Sequence, residues 1–300
     1  MTSRRLALLA AGLRVTAKPW LARTATPEQA ERDFERAAAL LRQPPNLRLL
    51  RRGAPRLAWI SAGPCVPRRV VLWFHGGAYI AGSARTHGGM LGRLSALSGV
   101  EICAPEYRLA QEAPFPAAFE DACAAWEALA ALGYAPDDIL LGGDSAGGGL
   151  ALALMARLLR EGVRPRGLLA FSPWTDLALT GPSLAENALA DPLLPVQRME
   201  EVVEIVRAQA NPRDPRLSPL YARFERPPPA FFQVGDTEIL RDDTLRMAAA
   251  LRAAGGEVET GIWPGVPHVW QIFDGWLPEA RAALKKAARF VQSSFAATMR

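Results

Sequence analysis

The strongest constraint on the fold is an alternation between short apolar runs and longer segments with helical spacing. Six runs are rich in β-branched and aromatic residues and too short for helices, which predicts buried strands. They cover residues 69–75, 100–104, 139–141, 168–171, 230–234 and 258–263. Apolar residues recur at helical spacing over residues 4–17, 27–41, 86–98, 116–131, 147–161, 242–254 and 278–296. This alternation predicts an α/β fold in which helices flank a mainly parallel central sheet.

One stretch interrupts the alternation. Residues 180–220 carry no strand pattern, and their helical segment, residues 196–210, lies between proline-rich flanks. An insertion of this kind between two strands usually covers the functional edge of a sheet. We therefore expect residues 180–220 to lie over the active edge.

The composition narrows the class of protein. Half of the 300 residues are hydrophobic and 22% are charged, which is typical of a soluble globular chain. The net charge is +5, but no run of five like charges occurs, so we expect no nucleic-acid partner. No apolar stretch reaches the roughly 18 residues that span a bilayer. Three sparse cysteines predict a reducing, cytoplasmic location without a disulfide framework.

The segment Gly143-Asp144-Ser145-Ala146-Gly147 has the form G-x-S-x-G and lies between a predicted strand and an alanine- and leucine-rich helix. This strand–turn–helix context is the one in which the motif presents a nucleophilic serine. The glycines remove Cβ atoms that would collide with neighbouring backbone. We predict that Ser145 is the nucleophile; the alternative is a packing turn, and no phosphate-binding motif fits this segment.

A second glycine-rich loop, His75-Gly76-Gly77, follows the first predicted parallel strand. Acyl transfer requires backbone N–H groups that point at the developing oxyanion, and glycines allow the main chain to approach a substrate. We predict an oxyanion hole made by the N–H groups of Gly76, Gly77 and Ala146. Taken alone, the loop could equally be an ordinary turn.

His268 follows the last predicted strand, at the edge where the carboxyl ends of parallel strands meet. The chain order serine, acid, histidine makes it the candidate base. The acid should follow the strand that ends at residue 234, and from chemistry alone four carboxylates remain open: Asp236, Glu238, Asp242 and Asp243. The three histidines, without an H-E-x-x-H motif, leave no metal-ligand set, so we expect no metal.

Several further segments resemble one known family, the bacterial hormone-sensitive-lipase-like (family IV) carboxylesterases of the α/β-hydrolase superfamily. The resemblance covers nearly the whole chain. It rests on the serine and histidine-glycine motifs above and on four other segments: Tyr107-Arg108-Leu109-Ala110, Pro114-Phe115-Pro116-Ala117, Asp191-Pro192-Leu193 and His268-Val269-Trp270-Gln271. The chain departs from the family at Ala78, where the family has a third loop glycine, and at Gln111, where it usually has proline.

The resemblance implies an α/β-hydrolase core of residues 46–179 and 221–300 under a helical cap of residues 1–45 and 180–220. It also implies hydrolysis of short-chain acyl esters without a cofactor, and a possible homodimer. The family's acid motif aligns with residues 238–242, which assigns the acid role to Glu238 and leaves Asp242 as the alternative. Apolar cap residues could line an acyl pocket or simply form cap core: Leu13, Trp20, Leu193 and Leu194.

Two groups of alternatives stay open at this stage. The same machinery could serve a lipase, an amidase or a lactonase, because a fold does not determine its substrate. The chain could also be a non-catalytic ligand-binding protein of this fold. The plant gibberellin receptors, which resemble the family, lack the catalytic histidine, whereas this chain keeps His268.

Overall fold

The apolar runs of the sequence form the centre of one twisted sheet. The computed structural model describes residues 2–52 and 56–296. Within these ranges eight strands are present: β1 (Arg48–Arg52), β2 (Leu57–Ser61), β3 (Val70–Phe74), β4 (Glu101–Pro105), β5 (Ile139–Asp144), β6 (Gly167–Phe171), β7 (Ala230–Gly235) and β8 (Val258–Trp263). All six predicted strands are confirmed, with ends that differ by three residues or fewer.

The helices agree closely with the predicted periodic segments. The described residues contain α1 (Arg4–Val15), α2 (Ala17–Arg23), α3 (Pro27–Ala38), α4 (Gly88–Ser98), α5 (Ala117–Ala131), α6 (Ser145–Arg160), α7 (Ser183–Glu186), α8 (Met199–Arg207), α9 (Arg241–Ala253) and α10 (Pro278–Ala296). The single helix expected over residues 4–17 ends at residue 15, and a second helix follows it. The helix expected over residues 196–210 ends at Arg207, because Ala208 has a φ of +51° that an α-helix cannot contain.

The strand order is β1-β2-β4-β3-β5-β6-β7-β8. Pairs from β4 through β3 to β8 are parallel, whereas β1–β2 and β2–β4 are antiparallel. The carboxyl ends of the parallel strands therefore share one edge. The α/β-hydrolase architecture predicted from the sequence is confirmed.

The central strands are buried on both sides because helices cover both faces of the sheet. All five residues of β3 are buried, as are all six of β5. Side chains of α5, α6 and α9 pack on one face, and those of α4 and α10 pack on the other. No helix in the described ranges has the length and apolar character needed to cross a bilayer.

The N-terminal helices contact both the core and the insertion. Leu6 of α1 is buried among Val266, Trp270 and residues of α10. The Lys18 ammonium donates to the carbonyls of Ala188 and Asp191 at 2.8 and 2.7 Å. These contacts join residues 1–45 to residues 180–220, as a shared cap would require; the division into cap and core stays a proposal.

Candidate active site

The turn between β5 and α6 presents Ser145 in a strained conformation. Its φ is +52°, in the left-handed region that costs a non-glycine residue about 1–2 kcal/mol. The flanking glycines make the turn possible. A Cβ on Gly143 would lie 2.3 Å from the carbonyl oxygen of Gly147, and a Cβ on Gly147 would lie 2.1 Å from that of Phe74. The G-x-S-x-G spacing is therefore required by the tight packing of the turn against itself and against β3.

Ser145, His268 and Glu238 form a continuous hydrogen-bonded chain. His268 Nε2 lies 2.8 Å from Ser145 Oγ, and His268 Nδ1 lies 2.6 Å from Glu238 Oε2. All three side chains are buried, and Glu238 has no exposed surface. They come from the ends of three strands, β5, β7 and β8, which are distant in sequence and meet at the carboxyl edge of the sheet.

The other three candidate acids lie elsewhere. Each accepts hydrogen bonds from backbone N–H groups: Asp236 from Gly265 (2.7 Å), Asp242 from Ser183 (2.8 Å), and Asp243 from Thr175 and Asp176 (2.7 and 2.8 Å). Asp242 thus links α9 to the short α7. In the described part of the chain, Glu238 is the carboxylate that hydrogen-bonds His268.

Glu238 is held rigidly by groups outside the predicted set. Its second oxygen, Oε1, accepts from Ser172 Oγ at 2.7 Å and from the Gly235 N–H at 2.6 Å. The Asn187 amide donates to the Glu238 carbonyl at 2.8 Å. Asp191 accepts the N–H of Ile239 at 2.9 Å. The sequence showed Asp191 only as a family mark, and it offered no signal for Ser172 or Asn187.

The environment of His268 raises its pKa above the ordinary value. Burial disfavours the imidazolium, but the hydrogen bond and the negative charge of Glu238 outweigh it. The imidazolium that forms when a serine proton is accepted is therefore stabilised. This is the electrostatic property expected of a general base paired with a carboxylate.

The predicted oxyanion loop lies against Ser145. A Cβ on Gly76 would lie 3.1 Å from Ser145 Cβ and only 2.2 Å from Asp144 Oδ2, so any larger residue here would displace the Asp144 carboxylate. Its N–H, however, donates to Asp144 Oδ2 at 3.0 Å. The Gly76 N–H is therefore committed to a carboxylate and is not free to bind an oxyanion.

The next two residues of the loop both have positive φ values. Gly77 has a φ of +121° and Ala78 a φ of +55°. The N–H groups of both lack an acceptor within the part of the chain that the structure describes. The N–H of Ala146 lies in the first turn of α6, where helix N–H groups have no intrahelical partner. Three main-chain N–H groups in these two segments are thus candidates for donors to a substrate oxygen: Gly77, Ala78 and Ala146.

Behind the loop is a buried pair that the sequence did not reveal. Asp144 accepts from Trp73 Nε1 at 3.0 Å, from the Gly76 N–H, and from His87 Nε2 at 3.1 Å. Asp144 occupies a variable position of the G-x-S-x-G pattern, and His87 looks incidental in a glycine-rich segment. Neither position carries a pattern that points to the other.

A small, mostly apolar cavity lies beside α6 and is partly open to solvent. Leu150 of α6 and Tyr79, directly after the oxyanion loop, line one side of it, while Val206 of α8 and Leu217 line another. The four cap residues expected to line a pocket do not line this cavity. Trp20 is instead 41% exposed, and Leu194 packs against the main core.

Among the described residues no cluster of His, Cys, Asp and Glu could hold a metal ion.

Comparisons with known proteins agree with this architecture. Residues 71–272 match a family described by the alpha/beta hydrolase fold. The chain is 37% identical to an acetyl-hydrolase of Streptomyces hygroscopicus, over 75% of this chain and 76% of that protein. It is 35% identical to an esterase of Acinetobacter venetianus, over 75% of each. A solved esterase from the bacterial hormone-sensitive lipase family matches with a TM-score of 0.92 and 35% identity, over 98% of this chain and 99% of the other. The chain therefore belongs to the α/β-hydrolase-fold proteins and, within them, to the hormone-sensitive-lipase-like family of bacterial carboxylesterases.

Proposed function

We propose that this serine carboxylesterase hydrolyses short-chain acyl esters with Ser145, His268 and Glu238 as its catalytic triad. The observation that carries the proposal is the hydrogen-bonded chain from Ser145 Oγ through both nitrogens of His268 to Glu238, with distances of 2.8 and 2.6 Å. Each distance lies within the range over which a proton is transferred or an imidazole is oriented.

In the proposed reaction, Ser145 Oγ attacks the ester carbonyl carbon while its proton passes to His268 Nε2. Glu238 holds the proton on Nδ1 and stabilises the resulting imidazolium. Collapse of the tetrahedral intermediate breaks the bond to the alcohol oxygen, which takes the proton from His268. A water molecule then repeats the sequence on the acyl-enzyme, releasing the acid and restoring the serine.

For the oxyanion hole we propose the N–H groups of Gly77, Ala78 and Ala146. This differs from the sequence-based prediction in one member. Gly76 was expected to donate, but its N–H is bonded to Asp144, and the next residue along the loop takes its place. Gly76 then serves as the anchor from which the two following donors are presented.

The cavity beside α6 supports a preference for small acyl groups. The cavity is small and its lining is mainly apolar, which suits a short acyl chain better than a long one. The relative from Streptomyces hygroscopicus is named an acetyl-hydrolase, which agrees with this preference. A series of p-nitrophenyl esters from acetate to palmitate separates the esterase from a lipase. Amide and lactone substrates test the remaining alternatives.

The central experiment compares the wild-type protein with Ser145→Ala. We expect a fluorophosphonate probe to label the wild-type protein at Ser145, and we expect the variant to lose both labelling and p-nitrophenyl acetate turnover while remaining folded by circular dichroism. A wild-type protein that turns over no ester and takes up no label would be a non-catalytic ligand-binding protein. Turnover retained by the folded variant would remove Ser145 from the mechanism.

We further propose a cytoplasmic location, the cap of residues 1–45 and 180–220, and assembly as a homodimer. Free thiols at Cys65, Cys103 and Cys123 favour a reducing compartment. For the dimer, β8 offers an unpaired sheet edge in the described structure, on which Ile262 is 53% exposed. Sedimentation of the purified chain tests the assembly, and a monomer at all concentrations would contradict it.

A further inference from the structure

His87 is a buried histidine that the triad mechanism does not use. It immediately precedes α4, and only 1% of its surface is exposed. Its ring lies between two sets of partners. On one side is the Asp144 carboxylate, and on the other are the backbone and side-chain oxygens of the turn formed by residues 83–86. His87 is therefore a buried titratable side chain that connects this turn to Asp144.

The partners of His87 show where its protons are. Nε2 lies 3.1 Å from Asp144 Oδ2, which is a carboxylate oxygen, and Nδ1 lies 3.2 Å from the Ser83 carbonyl, which can only accept. Nδ1 also lies 2.8 Å from Thr86 Oγ1, whose own proton is donated to the Ser83 carbonyl at 2.8 Å. Both ring nitrogens thus face acceptors, and only the imidazolium supplies a proton to each.

The electrostatic surroundings agree with a cationic ring. Burial alone disfavours the imidazolium, but the charge and hydrogen bond of Asp144 outweigh burial and raise the pKa of His87 above its ordinary value. Reciprocally, burial would raise the pKa of Asp144, but His87 and the Trp73 hydrogen bond outweigh it and lower that pKa. Both directions agree with the imidazolium and carboxylate that the hydrogen bonds of the pair indicate.

Asp144 is next to the nucleophile in sequence, and its carboxylate faces the oxyanion loop. Oδ2 lies only 2.2 Å from where a Cβ on Gly76 would be, and it accepts the Gly76 N–H at 3.0 Å. A lone negative charge here would oppose the negative charge that develops on the substrate oxygen. Within the described residues, His87 is the one cationic side chain paired with Asp144.

We propose that His87 is a positioning residue for the oxyanion hole, acting through Asp144. As an imidazolium it neutralises the Asp144 carboxylate and fixes its orientation. The carboxylate in turn holds the Gly76 N–H, so that the N–H groups of Gly77 and Ala78 point at the reacting carbonyl. This role rests on the proposed function, because it has meaning only if Ser145 attacks an ester.

The test uses two substitutions of different severity. His87→Gln keeps a neutral donor for Asp144, whereas His87→Leu removes both the positive charge and this hydrogen bond. Loss of one oxyanion donor lowers kcat by about 100- to 1,000-fold. We therefore expect kcat to fall about 100-fold in His87→Leu and about tenfold in His87→Gln, with KM changed by less than about threefold in both variants. The matched control is Ser95→Ala, a buried α4 residue that contacts Cys65 and not Asp144; we expect its kcat to be unchanged.

A second measurement separates positioning from general loosening of the fold. The affinity for a trifluoromethyl ketone, which forms an oxyanion on Ser145, should fall in proportion to kcat from the wild-type protein through His87→Gln to His87→Leu. His87 variants that keep kcat and ketone affinity within about twofold of wild type would overturn the proposal. So would a Ser95→Ala control that loses as much kcat and thermal stability as the His87 variants do. If His87→Leu does not fold, His87→Gln decides on the same criteria. Fluorophosphonate labelling of the wild-type protein shows independently whether the proposed function holds.

Discussion

Replacement of Glu238 by glutamine tests which carboxylate acts on His268. The substitution keeps the shape of the side chain but removes its charge, and an amide can offer either its oxygen or its NH2 group to Nδ1. The affected contact is the one of 2.6 Å between Glu238 Oε2 and His268 Nδ1, in a site where both side chains are buried.

The expected loss follows from the charge that the carboxylate stabilises. At an effective dielectric constant of about 20, two unit charges about 4 Å apart interact by about 4 kcal/mol. Since each 1.36 kcal/mol changes a rate tenfold, removal of the negative charge should lower kcat by roughly a thousandfold. The aspartate-to-asparagine exchange in a serine-protease triad lowers kcat by about 10⁴, which is of the same order.

The matched control is Asp242→Asn, because Asp242 is the alternative acid and lies on the same segment. Its contacts are the Ser183 N–H at 2.8 Å and the Arg241 guanidinium at 3.0 Å, so its loss should lower stability by at most about 1–2 kcal/mol and leave kcat within about twofold. Both variants and the wild-type protein are assayed with p-nitrophenyl acetate and by thermal melting. An inactive Asp242→Asn beside an active Glu238→Gln would refute the assignment of Glu238 as the acid.

Three further predictions concern the same site. The kcat/KM of the wild-type protein should fall on the acid side with an apparent pKa above about 6.5, because His268 must be neutral to accept a proton and its pKa is raised; a pH–rate profile that is flat through this region would contradict the base. Ala78→Gly should keep kcat and leave stability equal or up to about 1.5 kcal/mol higher, since glycine relieves about 1–2 kcal/mol of strain at φ +55° and loses about 0.5–1 kcal/mol of backbone entropy; chemical denaturation measures this, and a large loss of activity would mean that the alanine methyl group is needed. Gly147→Ala should destabilise the fold by about 1–3 kcal/mol and abolish activity, because the new Cβ would lie 2.1 Å from the Phe74 carbonyl oxygen; an active, equally stable variant would contradict the close packing of the turn.

The sequence predicted the central sheet well because its strands are buried on both faces. β3 is a continuous apolar run and β5 begins with one, and short apolar runs of this kind are typical of strands in a parallel sheet. The edge strand β1 was not predicted, for the opposite reason. β1 carries arginines at its ends and lies at the border of the sheet, so it lacks the apolar pattern of a central strand.

The catalytic motifs were predictable where a local constraint requires particular residues. The glycines at 143 and 147 are required by contacts below 2.5 Å within the turn and with β3, so they mark the serine in any sequence of this type. The allocation of hydrogen bonds was not predictable. Whether Gly76 donates to a substrate or to Asp144 depends on the position of a side chain 68 residues away, and no local pattern reports that distance.

The insertion contacts the segment of the proposed triad acid, Glu238, and these contacts limit how such an enzyme can change its substrate preference. The proposed triad lies at the ends of β5, β7 and β8, whereas the cavity beside α6 is lined partly by α8 of the insertion. The two are not independent, since Asn187 donates to the Glu238 carbonyl and Asp191 accepts the Ile239 N–H. Changes near residue 206 can reshape the cavity beside α6 without touching these bonds. Changes at residues 187–191 alter the support of the proposed triad acid, so we expect them to lower kcat rather than only to shift the preferred ester.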